Sequence, residues 1–307
     1  MSFALVEKAA EKLSPAWIAD VLAPALIFWL GGAGLILWQR GFSGPEKWLS
    51  HLSPVQHFFW AGLAIIALLL SAKIAENLDQ ATIRLLAGEW GTWAGALRRF
   101  LTERQANKWN KFRTRLQELA ARPEKNLDEA EQRELAVVTL KMHAYPASRK
   151  SLAPTALGNI LRAAELRPYD KYGLDAAVCW PRLWLLLPDA ARTDVGAART
   201  EIDSAARAFL WSVLFCGWTF VHPVALLIGI IAALLMHQHL KDTAETYGTL
   251  LESAFDVYRV RLYRSVGWAS PENAAREPAR GAELTDYFWR GSHERTVTFQ
   301  FEDQDGH

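Results

Sequence analysis

The sequence predicts a mostly α-helical integral membrane protein with three or four transmembrane helices, a helical cytoplasmic domain and one short C-terminal strand. Three observations predict it. Residues 21–38, 58–72 and 208–236 are long runs without Asp, Glu, Lys or Arg. Hydrophobic residues make up 51% of the 307-residue chain but gather in these runs instead of spreading evenly. The chain between them is charged and repeats its apolar residues at helical spacing. Several of the 14 tryptophans stand at the edges of the runs, where an aromatic ring suits the headgroup level of a bilayer.

Residues 1–20 read as an N-terminal amphipathic segment. Glu7, Lys8, Glu11, Lys12 and Asp20 make it too mixed in charge for the basic start of a signal peptide, so no cleavage is expected. Residues 21–72 read as a transmembrane hairpin. The first run has eighteen residues, and such a helix measures about 27 Å, close to a hydrocarbon core. Pro24 falls in its first turn, where proline does least harm. Gly31, Gly32 and Gly34 permit close helix approach. The second run is shorter, but Val55, Gln56 and His57 extend it and Lys73 can snorkel. Gly41, Gly44, Pro45 and Pro54 make the connection turn-rich.

Residues 73–207 form a net basic helical domain. The second membrane helix is expected to continue past Lys73 through Ile74, Leu78, Ile83 and Leu86, until Gly88, Gly91 and Gly95 interrupt it. The strongest helix signal covers 98–119. Trp109, Phe112, Leu116 and Leu119 share one face, while Arg104, Lys108, Lys111 and Arg115 share another. Glu103 is the one acid between Arg98 and Arg115. Arg104, Lys108, Trp109, Lys111 and Arg115 are the candidate ligand-binding residues. Three readings stand: a dock for anionic lipid headgroups, a site for the phosphates of a nucleotide or oligonucleotide with the ring free to stack, or a solvated face. Further helices are expected over 128–143 and 154–165. Residues 169–175 read as a turn, and 180–187 as a buried or interfacial segment too short to span.

The run 208–236 is twenty-nine residues long, where one straight span needs about 20. With His222-Pro223 at its centre, it is either one long kinked helix or a helical hairpin turning there. Lys73 and Arg84, then Arg192, Arg199 and Arg207, then Lys241, Arg259 and Arg261 flank the runs, and basic flanks prefer the cytoplasm. That favours an even number of crossings, hence the hairpin. It also places both termini and the charged blocks on the cytoplasmic side of a multi-pass protein of the cell inner (plasma) membrane. Ser212, Cys216 and Thr219 share a face and are the pore-lining candidates. Trp211, Phe215 and Trp218 form the adjacent face, a candidate hydrophobic constriction, and His222 is a candidate gate. The blander readings are polar packing against a neighbouring helix and a histidine in a turn.

Residues 237–307 read as a cytoplasmic helix and tail. Phe255, Tyr258 and Leu262 mark one helix face, and Gly267 is placed as a C-cap. Residues 269–282 read as a linker and 283–289 as a short helix. The alternation over 296–301 is a strand signal, and such a strand needs a partner.

No catalytic signature is present: no phosphate-binding G-x-x-x-x-G-K-[ST], no H-E-x-x-H, no G-x-S-x-G. The chain is not expected to be an enzyme or to carry a cofactor. His237 and His239 fall on different helix faces, so no metal is expected. Cys216 lies in an apolar run, so a disulfide with Cys179 is not expected.

The segments Pro154-Thr155-Ala156-Leu157-Gly158-Asn159, Tyr172-Gly173-Leu174-Asp175 and Trp180-Pro181-Arg182-Leu183 resemble a pattern in uncharacterised bacterial membrane proteins, a resemblance that implies no activity. The layout is also similar to membrane effectors of bacterial anti-phage systems of the Hailong type, in which a nucleotide made by a partner enzyme opens a channel. That similarity implies an oligomeric channel or membrane-disrupting effector, gated by a nucleotide or oligonucleotide through the cytoplasmic domain. Its expected partners are the bilayer and further copies of the chain. The alternative is a non-catalytic membrane scaffold or sensor that recruits a cytoplasmic partner protein.

Overall fold

The computed structural model describes residues 18–123 and 126–291. Every regular element among the described residues is helical. The expected strand at 296–301 lies outside the described residues, as does most of the amphipathic segment 1–20. The α-helices are α1 (Ala23–Arg40), α2 (Ser43–Ser50), α3 (Pro54–Asn77), α4 (Asp79–Ala87), α5 (Gly95–Ala120), α6 (Glu129–His143), α7 (Ala156–Tyr172), α8 (Ala176–Leu186), α9 (Asp189–Phe215), α10 (Val224–Ser265) and α11 (Glu277–Arg290). Three stretches are long and apolar enough to cross a membrane: Asp20–Arg40, Pro54–Asn77 and Val224–Ser265. The chain divides into two compact units. One holds residues up to Arg84 together with Thr200–Leu240, the other Leu85–Arg199 together with the chain from Lys241 onward.

In the first unit, α3 starts on a reciprocal cap. The Gln56 backbone N–H donates to Ser53 Oγ, the Gln56 side chain returns to the Ser53 N–H, and Pro54 occupies the first turn. α1 packs along α3 through a small core of Val21, Ala25, Ala72, Ala75 and Trp211. Trp29 Nε1 donates to Ser71 Oγ at 3.1 Å, satisfying two polar groups within an apolar surround. Outward from this core, Ile27, Leu30, Phe58, Ile66 and Leu234 are all exposed. In water each such side chain would forgo about 1.5–3 kcal/mol of burial, so this surface is made for an apolar solvent.

α9 ends in a 3₁₀ segment, Cys216–Phe220, and the chain reverses at His222-Pro223 into α10. The Val224 N–H donates to His222 Nδ1 at 3.2 Å, so the histidine closes the start of α10. Gly229 faces Cys216 and the Ser212 carbonyl, and the Phe209 ring lies 6.0 Å from that of His237. These pairings run antiparallel along the two helices.

The second unit is built around Leu174, Cys179, Leu183, Leu251, Phe255, Leu262, Tyr263 and Leu284, contributed by the α7–α8 turn, α8, α10 and α11. Two glycines bring α7 and α11 together. A Cβ on Gly281 would strike the Tyr172 carbonyl, and one on Gly173 would strike the Pro278 carbonyl. Gly173 also ends α7 at φ +69°, a conformation that suits glycine. α5 and α6 form an adjoining hairpin, with α6 started by an Asp128–Glu131 capping box.

Several expected boundaries move. The second apolar helix does not continue through Leu86: it stops at Asn77, and α4 begins afresh at Asp79. α9 runs unbroken across 207–208, and α10 across 236–237. A change from charged to apolar composition alters the preferred solvent, but it does not interrupt backbone hydrogen bonding. Most of the segment 180–187 belongs to α8, with Leu183 and Leu187 buried and Leu185 exposed. The 269–282 linker gives way to α11 at Glu277, whose second residue, Pro278, is tolerated there.

Candidate functional site

The seven pore and gate candidates divide between two intramolecular contacts. Ser212 Oγ donates to the Ala208 carbonyl at 2.7 Å and Thr219 Oγ1 to the Cys216 carbonyl at 2.6 Å. Their hydroxyls are thus satisfied by their own helix, while Cys216 packs on Gly229 of α10. Trp211, Phe215 and Trp218 turn toward α1. The Trp211 ring lies 4.9 Å from Phe28, Trp218 covers Gly32, and Phe215 meets Gly31. The glycines of α1 are therefore seats for aromatic rings. His222 stacks on Trp38 at 5.0 Å besides capping α10. Within a single chain these residues close helix–helix seams rather than line an opening.

Beside them lies a pair that sequence reasoning did not single out. Arg207 Nε donates to Asp79 Oδ1 at 3.2 Å, Nη2 donates to Oδ2, and Nη1 donates to the Asp20 carbonyl at 2.7 Å. Both side chains of the pair are only 6% exposed. One guanidinium thereby joins α9, the α3–α4 junction and the approach to α1. Burial pushes the Asp79 carboxyl up, to about 6, against the pull of Arg207. Asp203, which accepts from Gln80 Nε2 at 3.1 Å, and Glu76 add to the upward push. A signal did exist in the sequence: Arg207 directly precedes the run 208–236, and Asp79 follows the run 58–72 by seven residues.

On α5 the five candidate ligand residues separate into two classes. Trp109 is buried with Ala106 and Leu152, and its Nε1 donates to the Pro146 carbonyl at 3.1 Å. Arg113 covers the ring from 4.8 Å. The ring is therefore not free to stack on a base. Arg115 is bound by Glu134, at 2.9 and 2.6 Å, and by Glu118. The Glu134 carboxyl is held below its ordinary value by this arginine. Arg104, Lys108 and Lys111 are exposed and pair with none of the described residues.

The segments singled out for their resemblance form a structural joint. Thr155 caps α7, and a Cβ on Gly158 would strike the Ala87 carbonyl. Buried Asn159 bonds both the N–H and the carbonyl of Ala153. Asp175 caps α8 by accepting from Ala177 and Val178. Alongside runs an ion-pair chain: Glu252 meets Arg167 at 2.8 Å and Lys171 at 2.6 Å, and Asp256 accepts from Tyr172 Oη at 2.5 Å. Arg259 lies 4.1 Å over the Tyr172 ring and reaches Glu277 at 2.7 Å. A cleft of about 460 Å³ opens nearby, walled by Tyr169, Trp180, Tyr247 and Leu251, with Glu165 and Asp175 on its rim. Burial pushes the Cys179 thiol up to about 11, the opposite of an activated nucleophile.

No family model, no curated protein and no solved structure matches this chain.

Proposed function

We propose that the chain is a multi-pass membrane protein that works as an oligomeric channel or membrane-disrupting effector under the control of its charged helical unit. The observation that supports this most is the small apolar bundle of the first unit. Its outward side chains suit lipid, while Trp29, Ser212, Thr219 and Arg207 find hydrogen-bond partners within the chain. A water path would then need several copies side by side. Control is supported by α9 and α10, each an unbroken helix from charged into apolar residues. The similarity in layout to Hailong-type effectors makes a nucleotide the first signal to try. The covered Trp109 ring means that recognition would rest on charge rather than on base stacking.

Planar-bilayer recordings on purified protein, with and without candidate nucleotides, test the reading. Step-like conductance supports it, whereas silence in both conditions overturns it, as would a strict monomer in detergent. The second reading is a scaffold or sensor that recruits a cytoplasmic partner. It draws support from Val137 and Leu140, exposed one turn apart on α6, and it predicts partner capture without conductance.

A further inference from the structure

One side of α5 carries a stripe with two chemistries in series. Trp93, Leu97 and Phe100 are 83%, 50% and 67% exposed. Arg104, Lys108 and Lys111 follow, also exposed. Within α5, positions 97, 100, 104, 108 and 111 advance by three and four, so these five share one helix face, and Trp93 precedes them in the 3₁₀ turn Thr92–Ala94. The opposite face is fixed by burial of Ala94, Gln105, Ala106 and Trp109. The stripe therefore cannot rotate inward without dismantling that contact. Arg115 is held by Glu134, and Arg149, in the turn after α6, is held by Glu103, whereas the three cations of the stripe pair with none of the described residues.

We propose that this stripe docks on an anionic bilayer surface, with the Trp93–Leu97–Phe100 end in the acyl boundary and Arg104, Lys108 and Lys111 on lipid phosphates. The proposal rests on the reading of the chain as a membrane protein. Leu97 and Arg104 are about 10 Å apart along the helix, so a helix that tilts its N-terminal end into the bilayer carries the apolar end below the cations. Tryptophan at the headgroup level and cations toward anionic lipid are the preferred placements at such a boundary. A second copy of the chain fits less well. Facing stripes would set cations against cations in a parallel pairing, or against apolar side chains in an antiparallel one. Along the chain, residues 78–92 separate the candidate span Pro54–Asn77 from the stripe.

The test places a nitroxide label at position 97 or 100 of the full-length chain, with C179A and C216A removing the native thiols. Each protein is reconstituted in phosphatidylcholine vesicles with or without phosphatidylglycerol. Labels at 66, on α3, and at 117, at the far end of α5, serve as references. Collision with oxygen against a water-soluble nickel chelate reports depth. With phosphatidylglycerol, labels at 97 and 100 should show a several-fold higher oxygen-to-nickel ratio than the label at 117. The joint change R104E/K108E/K111E should abolish that difference. Aqueous behaviour at 97 and 100 while 66 reads as lipid-immersed overturns the dock alone; an aqueous label at 66 overturns the membrane reading itself. Protection that persists in detergent and survives the charge reversal means a protein contact, and also overturns the dock. Should the thiol-free chain fail to fold, hydrogen exchange over residues 93–104 of the unmodified chain replaces the labels. Slower exchange with phosphatidylglycerol than without supports docking, and identical exchange overturns it.

Discussion

Arg207 grips Asp79 through two separate nitrogens, one on each carboxylate oxygen, while its third reaches the Asp20 carbonyl. At neutral pH a buried pair of this kind contributes little relative to an apolar pair of the same volume, but it is costly to break by halves. Removing one partner leaves an uncompensated buried charge, at a cost of about 3–5 kcal/mol. Arg207→Met should therefore lower the detergent unfolding midpoint sharply at pH 8, whereas Asp79→Leu with Arg207→Met should recover most of the loss. Equal damage from the single and the double change would show that the pair is not the clasp described.

The same pair carries a pH signature. Asp79 titrates near 6 in the folded chain, against an ordinary 3.8. The folded state therefore binds this proton more tightly than the unfolded state. Stability from this group is complete below about pH 4, is lost as pH rises through about 6, and is flat above. Asp79→Asn should remove that slope. The cost of Arg207→Met should also shrink as pH falls below the raised value, because the stranded carboxylate is then neutralised. Unfolding midpoints from pH 4 to 8 check both. A slope that persists in Asp79→Asn would assign it to another group.

Glycine tolerance maps the apolar seams. A Cβ at Gly229 would lie 2.5 Å from Cys216 Sγ and 3.0 Å from the Cys216 backbone nitrogen. Gly229→Ala should cost about 1–3 kcal/mol, the usual range for overpacking. Adding Cys216→Ala should relieve only part of this, since the backbone contact remains. Gly34 has nothing within 4 Å of its would-be Cβ, so Gly34→Ala should be neutral or mildly stabilising. Thermal unfolding in detergent reads both, and equal tolerance at 34 and 229 would contradict the α9–α10 contact.

Trp109 and the exposed cations of α5 should separate by readout. Trp109→Phe loses the bond to Pro146, worth about 1 kcal/mol, and should lower the unfolding midpoint of the second unit. Lys108→Glu or Lys111→Glu should leave stability within about 0.5 kcal/mol, as is usual for unpaired surface positions. A nucleotide that quenches Trp109 emission by direct stacking would contradict the buried ring.

The membrane-competent helices are legible in the sequence because the charge-free runs report directly on the solvent that their side chains need. The break at Leu78 and the unbroken passage of α9 through Arg207 are not legible. Local composition there says nothing about where backbone bonding stops, and Ala-rich α9 has no proline or glycine that enforces a stop near the boundary. For the sites, periodicity identifies the exposed cations Arg104, Lys108 and Lys111. It cannot tell that Trp109 faces Pro146 or that Arg115 faces Glu134, because those partners come from the turn after α6 and from α6 itself. Asp79 and Arg207 are harder still. Each reads as an ordinary flanking charge until the two are brought together.

The separation between those two residues sets an order of events. They lie 128 positions apart, and a ribosome adding about 5–20 residues per second needs on the order of ten seconds to make that stretch. During that interval α1 and α3 already exist and can pair, while the Asp79 carboxyl, lacking Arg207, either stays hydrated or takes up a proton as it is buried. The delivery of α9 then supplies the arginine that lets the carboxyl be buried as an ion.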